Sequence, residues 1–295
     1  MTVSEIMVVG AGFMGAGIAQ VGSQAGYSIK LYDISQEAID KGIASINKIL
    51  SKNVEKGKLA QADKDAILAR ITPSLSLEDA KNSDLVIEAV LENADLKKSI
   101  FQQLDAICKP ECILATNTSS IPITQLAAAV KRADKFIGMH FFSPVPVMKL
   151  CEIIRGIKTS DETVAITTEV AQNMKKETVI AKDVPGFIVN RINNALRAEA
   201  FKCLSEGVAS LEDIDKALKF GLNHPMGPFE LSDFVGLDVA FSVVSTLYAG
   251  YKDPKWAPNM NLEKLVISGD LGRKTGKGWY DYTTGEKKPR TDVKF

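Results

Sequence analysis

Histidine occurs only twice in this chain, and one of the two, His140, stands where a proton could be moved. It lies near the end of an apolar run over 135–142, which reads as a strand, and the turn-forming Ser143-Pro-Val-Pro-Val147 follows. A hairpin centred on Pro146 sets His140 opposite Glu152, because the two are equidistant from that centre. Directly opposed residues approach within ion-pair reach. A carboxylate on one imidazole nitrogen fixes the tautomer and stabilises the imidazolium, leaving the other nitrogen to exchange a proton. A partly buried histidine, hydrogen-bonded for stability, is the plainer alternative. Ser119, in Asn117-Thr-Ser-Ser120 after another apolar run, either offers a hydroxyl to a substrate oxygen or closes the loop before Pro122. Asn190 lies one turn into a helical pattern and shares its polar side with Asn193, Asn194 and Arg197, which fits a cleft-facing group or a solvated face.

A second kind of chemistry sits at the N-terminus. An apolar strand over 5–9 runs into Gly10-x-Gly12-x-x-Gly15, a helical pattern continues to Gly26, and a second strand over 28–32 stops at Asp33. In a dinucleotide site Gly10 makes the tight turn, Gly12 admits the pyrophosphate and Gly15 lets helix and strand pack closely. Phosphates then rest on the helix N-terminus, where unpaired N–H groups and the dipole favour negative charge. Asp33, roughly 20 residues beyond the motif, falls where a carboxylate grips a ribose 2′-hydroxyl and repels a 2′-phosphate, favouring NAD over NADP. Asp33 with Gln36 also fits a helix capping box.

These residues need a sheet to hold them. Apolar runs at 84–90, 112–117, 135–142, 148–154 and 177–181 alternate with helical periodicity at 37–58, 62–70, 94–107 and 161–174. Such alternation predicts a parallel, doubly wound α/β sheet of Rossmann type. After Asp183-Val-Pro-Gly186 the patterns over 187–205, 211–220, 228–248 and 262–267 are helical only. The expected organisation is a dinucleotide-binding domain over 1–185, an all-helical domain over 186–284 and a polar, frayed tail over 285–295. A length of 295 residues suits two domains.

The balance of 36 basic against 36 acidic residues leaves no global field to attract nucleic acid, so an anionic ligand must be met by local charge. Cys108, Cys112, Cys151 and Cys203 lie in apolar contexts without paired ligand spacing and are expected as reduced thiols of a cytoplasmic protein. With so few histidines, no metal site is expected. No apolar run reaches membrane-spanning length, and neither a membrane nor a cleavable leader is expected.

Several motifs occur in order: Gly10-Ala-Gly-Phe-Met-Gly15, Thr116-Asn-Thr-Ser-Ser120, Gly138-Met-His-Phe-Phe-Ser-Pro144, Pro185-Gly-Phe-Ile-Val-Asn-Arg191, His224-Pro-Met-Gly-Pro228 and Gly272-Arg-Lys-Thr-Gly-Lys-Gly-Trp-Tyr280. On these motifs the chain resembles the 3-hydroxyacyl-CoA dehydrogenases, and among them the bacterial 3-hydroxybutyryl-CoA enzymes of butyrate metabolism, over all but its tail. The resemblance implies reversible NAD-linked oxidation of a short-chain (S)-3-hydroxyacyl-CoA to the 3-ketoacyl-CoA by a homodimer or higher oligomer, with NADP as the alternative cofactor. It implies that His140 is the general acid/base oriented by Glu152, and that Ser119 and Asn190 hold the substrate oxygen. Glu92, Lys97 and Lys274 match positions on the nicotinamide side of the cofactor.

Ser143 departs from the asparagine common in the family; a serine reaches less far toward the cofactor and lacks an amide donor pair. Lys48, Lys52 and Lys56 form one helical stripe, followed by Lys58, which the resemblance places beside the CoA arm and a solvated face explains equally. Two other uses stay open. A dehydrogenase of free 3-hydroxy acids needs a cation near His140 that the motifs do not place. A non-catalytic structural protein on the same fold has no use for an intact His140, Glu152, Ser119 and Asn190.

Overall fold

Strands that read as unbroken apolar runs must be covered on both faces, and in the first unit the central ones are, whereas the edge strand over 177–182 is largely exposed. The structure, a computed structural model, describes residues 2–293 and divides at Phe187 and Ile188, two residues beyond the expected boundary. Position 1 of the expected first domain and positions 294 and 295 of the expected tail lie outside the described residues. In chain order the first unit comprises β1 (Glu5–Val9), α1 (Phe13–Gln24), β2 (Ser28–Tyr32), α2 (Gln36–Glu55), α3 (Gln61–Ala69), β3 (Ile71–Ser74) and β4 (Leu85–Glu88). It continues through α4 (Ala94–Ile107), β5 (Ile113–Thr116), α5 (Ile123–Ala127), β6 (Phe136–Phe141), β7 (Leu150–Arg155), α6 (Asp161–Asn173) and β8 (Glu177–Lys182). The strands form one sheet in the order β3-β2-β1-β4-β5-β6-β7-β8. All neighbours are parallel except β6 and β7. This is the doubly wound arrangement, with the reversal of strand order between β1 and β4.

Three local features are set by contacts that sequence spacing does not show. The segment 71–74 is a strand despite Pro73; β3 is the edge of the sheet, where a missing N–H is tolerated. The cap of α2 is Ser35, whose hydroxyl accepts from the Ala38 amide, so Asp33 forms no capping box. Pro122 immediately precedes α5, and the Asp183 carboxylate accepts from the first amides of that helix, Ile123 and Thr124.

The second unit holds α7 (Val189–Ser205), α8 (Leu211–Gly221), α9 (Pro228–Val235), α10 (Leu237–Tyr251) and α11 (Met260–Ile267), followed by a ribbon of β9 (Tyr280–Asp281) and β10 (Lys288–Pro289). The helix expected over 228–248 is two helices, because Gly236 takes φ +105° between them. The expected tail is not frayed over its described part. Lys288 and Pro289 pair with β9, and Arg290 forms ion pairs with Asp270 and Asp292. Two buried aspartates bind this unit together. Asp215 accepts from the first amides of α9, Phe229 and Glu230, and from the Tyr280 hydroxyl. Asp233 accepts from the Trp279 and Tyr280 amides and the Tyr282 hydroxyl. At the centre Phe201, Phe229 and Trp279 meet with ring centroids 4.7–5.2 Å apart.

Among the described residues no single helix is long and apolar enough to cross a membrane, and no group of three or more His, Cys, Asp or Glu could hold a metal ion. The chain's two tryptophans, Trp256 and Trp279, both lie in the second unit, so tryptophan fluorescence follows that unit alone. Phe229→Ala should lower its stability by about 3–5 kcal/mol, the usual cost of emptying a buried aromatic site. Urea unfolding followed by tryptophan emission measures it, and an unmoved midpoint would show that the ring cluster does not hold the unit.

Candidate active site

The loop between β1 and α1 is shaped as a cradle. Gly10 has φ +105°, and a Cβ there would lie 2.7 Å from the Ala89 carbonyl oxygen. A Cβ on Gly15 would come within 1.7 Å of the Gly10 oxygen, so the helix passes the loop at a distance only glycine permits. A Cβ on Gly12 would meet nothing within 4 Å, which leaves open space over the start of α1. That helix has no side-chain cap and no acid in its first turn, so its amides are available to an anion. At the end of β2, Asp33 accepts from the Ala11 amide at 2.8 Å through one oxygen and from the Ser35 amide at 3.2 Å through the other. A carboxylate offers about four acceptor positions, so Asp33 keeps capacity for a ribose hydroxyl while bracing the loop. These features fit the pyrophosphate and ribose of a dinucleotide.

The second centre lies at the C-terminal ends of the parallel strands. Antiparallel pairing of β6 and β7 places His140 opposite Glu152, with Nδ1 2.8 Å from Glu152 Oε2. Glu152 is 0 % exposed. An ionised carboxylate only accepts, so Nδ1 carries the donated hydrogen, and neutral His140 has its lone pair on Nε2. The imidazole sits between the rings of Phe142 and Phe187, with centroids 4.5 and 5.8 Å away. The turn joining the strands is anchored on both sides. Val145 packs on α1 at Gly17, where a Cβ would lie 2.8 Å from the Val145 Cβ. From the other side the buried Lys176 ammonium donates to the carbonyls of Val145 and Met148.

Between these centres runs a chain of polar groups that begins buried at Glu88 and reaches the surface at Glu92. Glu88, at the end of β4, accepts from Thr116 Oγ1 at 2.7 Å, from the Val90 amide at 2.7 Å and from Lys97 Nζ at 2.6 Å. Lys97 reaches Glu92 as well, at 3.2 Å. Glu92 Oε1 in turn accepts from Thr118 Oγ1 and from the amides of Ser119 and Ser120, at 2.6–3.1 Å. Burial alone would raise the pKa of Glu92. The Lys97 charge and the donors of Thr118, Ser119 and Ser120 outweigh burial and hold the group below the usual carboxylate range.

The structure therefore brings together His140 with Glu152, and Ser119 with Glu92 and Lys97. Lys97 is only 1 % exposed and is held by two carboxylates, those of Glu88 and Glu92. Ser143 is exposed at the start of the β6–β7 turn. Asn190 and Lys274 belong to the second unit; Asn190 lies in the first turn of α7, and both oxygens of Asp238 hold Lys274 Nζ, at 2.6 and 2.7 Å. Sequence reasoning missed Glu88 and Lys176. An acid ending an otherwise apolar strand was the available signal for Glu88, whereas Lys176 is one lysine among many.

A glycine cradle at the switch point of a parallel sheet, with a buried His–Glu pair at the same edge, defines a dinucleotide-dependent oxidoreductase. Residues 5–184 match the NAD binding domain of 3-hydroxyacyl-CoA dehydrogenase, and residues 186–282 match the C-terminal domain of 3-hydroxyacyl-CoA dehydrogenase. The chain belongs to the 3-hydroxyacyl-CoA dehydrogenase family. It is 46 % identical over 282 residues to a probable 3-hydroxybutyryl-CoA dehydrogenase of Bacillus subtilis, covering 96 % of this chain and 98 % of that one. With the 3-hydroxybutyryl-CoA dehydrogenase of Clostridioides difficile the identity is 45 %, covering 94 % and 99 %. The crystal structure of (S)-3-hydroxybutyryl-CoA dehydrogenase from Ralstonia eutropha superposes with a TM-score of 0.93 at 48 % identity, covering 95 % of this chain and 99 % of that one.

Glu92→Ala leaves the amides of Ser119 and Ser120 without their carboxylate. Hydrogen bonds to a charged group contribute about 1.5–3 kcal/mol, so exchange of these two amides should quicken at least about tenfold. Amide hydrogen exchange measures it, and unchanged protection would show that the loop is held by other contacts.

Proposed function

We propose that the protein interconverts (S)-3-hydroxyacyl-CoA and 3-ketoacyl-CoA, with 3-hydroxybutyryl-CoA and acetoacetyl-CoA as the working pair and NAD as the preferred cofactor. The observation that carries the reading is the 2.8 Å contact between His140 Nδ1 and a Glu152 carboxylate with no exposed surface. A nicotinamide dinucleotide bound on the Gly10–Gly15 loop supplies the acceptor or donor of the hydride. In oxidation, His140 Nε2 takes the proton of the substrate hydroxyl, and Glu152 stabilises the imidazolium that forms. In reduction, the same nitrogen returns the proton to the oxygen developing at C3. The Ser119 hydroxyl, which donates to Glu92 Oε1 at 3.3 Å in this structure, turns its hydrogen to that oxygen when substrate is bound and lowers the cost of its charge. The roles of Asn190 and Lys274 stand on the family resemblance.

A neutral protein meets the phosphates of coenzyme A with local charge. Lys48 and Lys52 are exposed on α2, and Lys56 and Lys58 follow at its end, which supports the CoA arm lying along this helix. Exposed apolar side chains on the second unit, among them Phe220, Leu222, Phe234, Met260 and Ile267, support a homodimer or higher oligomer. Comparing acetoacetyl-CoA with free acetoacetate under NADH separates this reading from a dehydrogenase of free hydroxy acids. Absence of turnover with either would return the chain to a structural role.

His140→Asn should lower kcat about 10²–10⁴-fold, the usual contribution of general acid/base catalysis, with NADH affinity unchanged; near-normal turnover would remove His140 from the mechanism. Glu152→Gln keeps the shape and deletes the charge. The imidazolium that forms during turnover then lacks its partner, so kcat for acetoacetyl-CoA should fall while NADH affinity stays unchanged. An unchanged kcat would make Glu152 a buried strand residue and nothing more. For the cofactor, a 2′-phosphate facing Asp33 at about 4 Å meets repulsion on the order of 1–4 kcal/mol. The kcat/KM for NADH should exceed that for NADPH at least about tenfold, and the reverse order would overturn the assignment to Asp33.

A further inference from the structure

The second unit contains a cavity of about 270 Å³ bounded by α7, α10 and the turn 254–256. Its polar wall carries Arg197, Lys202 and Lys255, and no Asp or Glu lines it. Arg197 is 6 % exposed, yet its Nε and Nη1 atoms have no hydrogen-bond partner. Its one contact is from Nη2 to Asn194 Oδ1 at 2.9 Å, and Asn194 is itself tied to the Asn190 carbonyl. Among the described residues no carboxylate pairs with Arg197, whereas Lys202 and Lys255 lie 3.7 and 3.5 Å from acids of their own, Glu206 and Asp253. Burial with no compensating charge lowers the Arg197 pKa to about 10, which still leaves it protonated at neutral pH.

A guanidinium only 6 % exposed, with three of its N–H bonds unmet, is costly, and natural structures rarely leave such groups without an acceptor. Water could accept the hydrogens but would not neutralise the charge. An oxyanion does both. The rest of the lining narrows the choice, because Phe201, one turn beyond Arg197 on α7, and Val244 and Leu262 give the cavity apolar surface.

We propose that this cavity binds a small monocarboxylate, with the carboxylate accepting from Arg197 and a short alkyl chain lying against Phe201, Val244 and Leu262. The site lies wholly within the second unit and does not depend on the dehydrogenase reading.

Calorimetric titration of the full chain with butyrate tests it, using butyramide as the uncharged isostere and inorganic phosphate as the oxyanion without an alkyl chain. Butyrate should bind at one site per chain, butyramide should not bind, and phosphate should bind more weakly than butyrate. Arg197→Met should weaken butyrate at least about tenfold, as expected for losing a charged hydrogen bond. The unliganded variant should unfold no earlier than the parent, because it no longer buries an unpaired charge. Ala198→Leu, which fills the cavity and leaves Arg197 in place, should also abolish binding and provides the test if Arg197→Met fails to fold. Equal binding of butyrate and butyramide, tighter binding of phosphate, or unchanged binding to both variants would overturn the proposal. A butyrate-insensitive parent whose sedimentation mass changes in Arg197→Met would do the same, assigning the acceptor to a second copy of the chain.

Discussion

A carboxylate with no exposed surface must find its donors inside the protein, and at Glu152 the imidazole of His140 is one of them. Much of the first unit is arranged around that contact. It requires β7 to run against β6 in a sheet otherwise parallel up to that point, so the chain must reverse within a few residues instead of crossing over through a helix. The reversal needs a turn that cannot drift, and Val145 on Gly17 and Lys176 on the turn carbonyls supply the restraint from opposite sides. Removing one member of such a buried pair costs about 3–5 kcal/mol, far more than an exposed ion pair contributes. The contact is therefore structural and chemical at once.

The same logic governs the neighbouring strands. Glu88 and Lys97 offset each other's burial, and the same Lys97 ammonium also reaches Glu92, which orders Thr118, Ser119 and Ser120. Desolvation pushes the Glu92 carboxyl toward neutrality, and pairing with hydrogen bonding pushes it the other way and wins. A chain with no net charge thus keeps strong local fields beside the sheet edge where ligands meet this fold.

Much of this was legible in the sequence because it is periodic or local. The glycine spacing, the buried strands and the distance of His140 and Glu152 from Pro146 are each set by backbone geometry, which sequence spacing reports directly. What was not legible depends on tertiary position. Pro73 argues against a strand unless the strand is known to be an edge. Gly236 inside a helical pattern reads as a weak spot, and only the packed unit makes it a break between two helices. Lys97 looks like any helical lysine until Glu88 is found beneath it. Arg197 and Asn194 share a polar helix side that suggests solvent, yet both are buried, because α10 and the turn 254–256 cover that side. Helical periodicity reveals which residues share a face, not what lies opposite it.

The antiparallel β6–β7 ladder also limits how the chain can vary. Side chains alternate across a strand, so a single-residue slip transfers every partner to the other face of the sheet. If a change in turn length entered the ladder, His140 would face Cys151 or Ile153 instead of Glu152. Isoleucine has no proton to exchange, and burial keeps the Cys151 thiol protonated far above its ordinary range. Surface loops commonly accept insertions at small cost. The segment between Phe142 and Lys149 acts instead as a ruler, because its length sets which residue of β7 stands opposite His140.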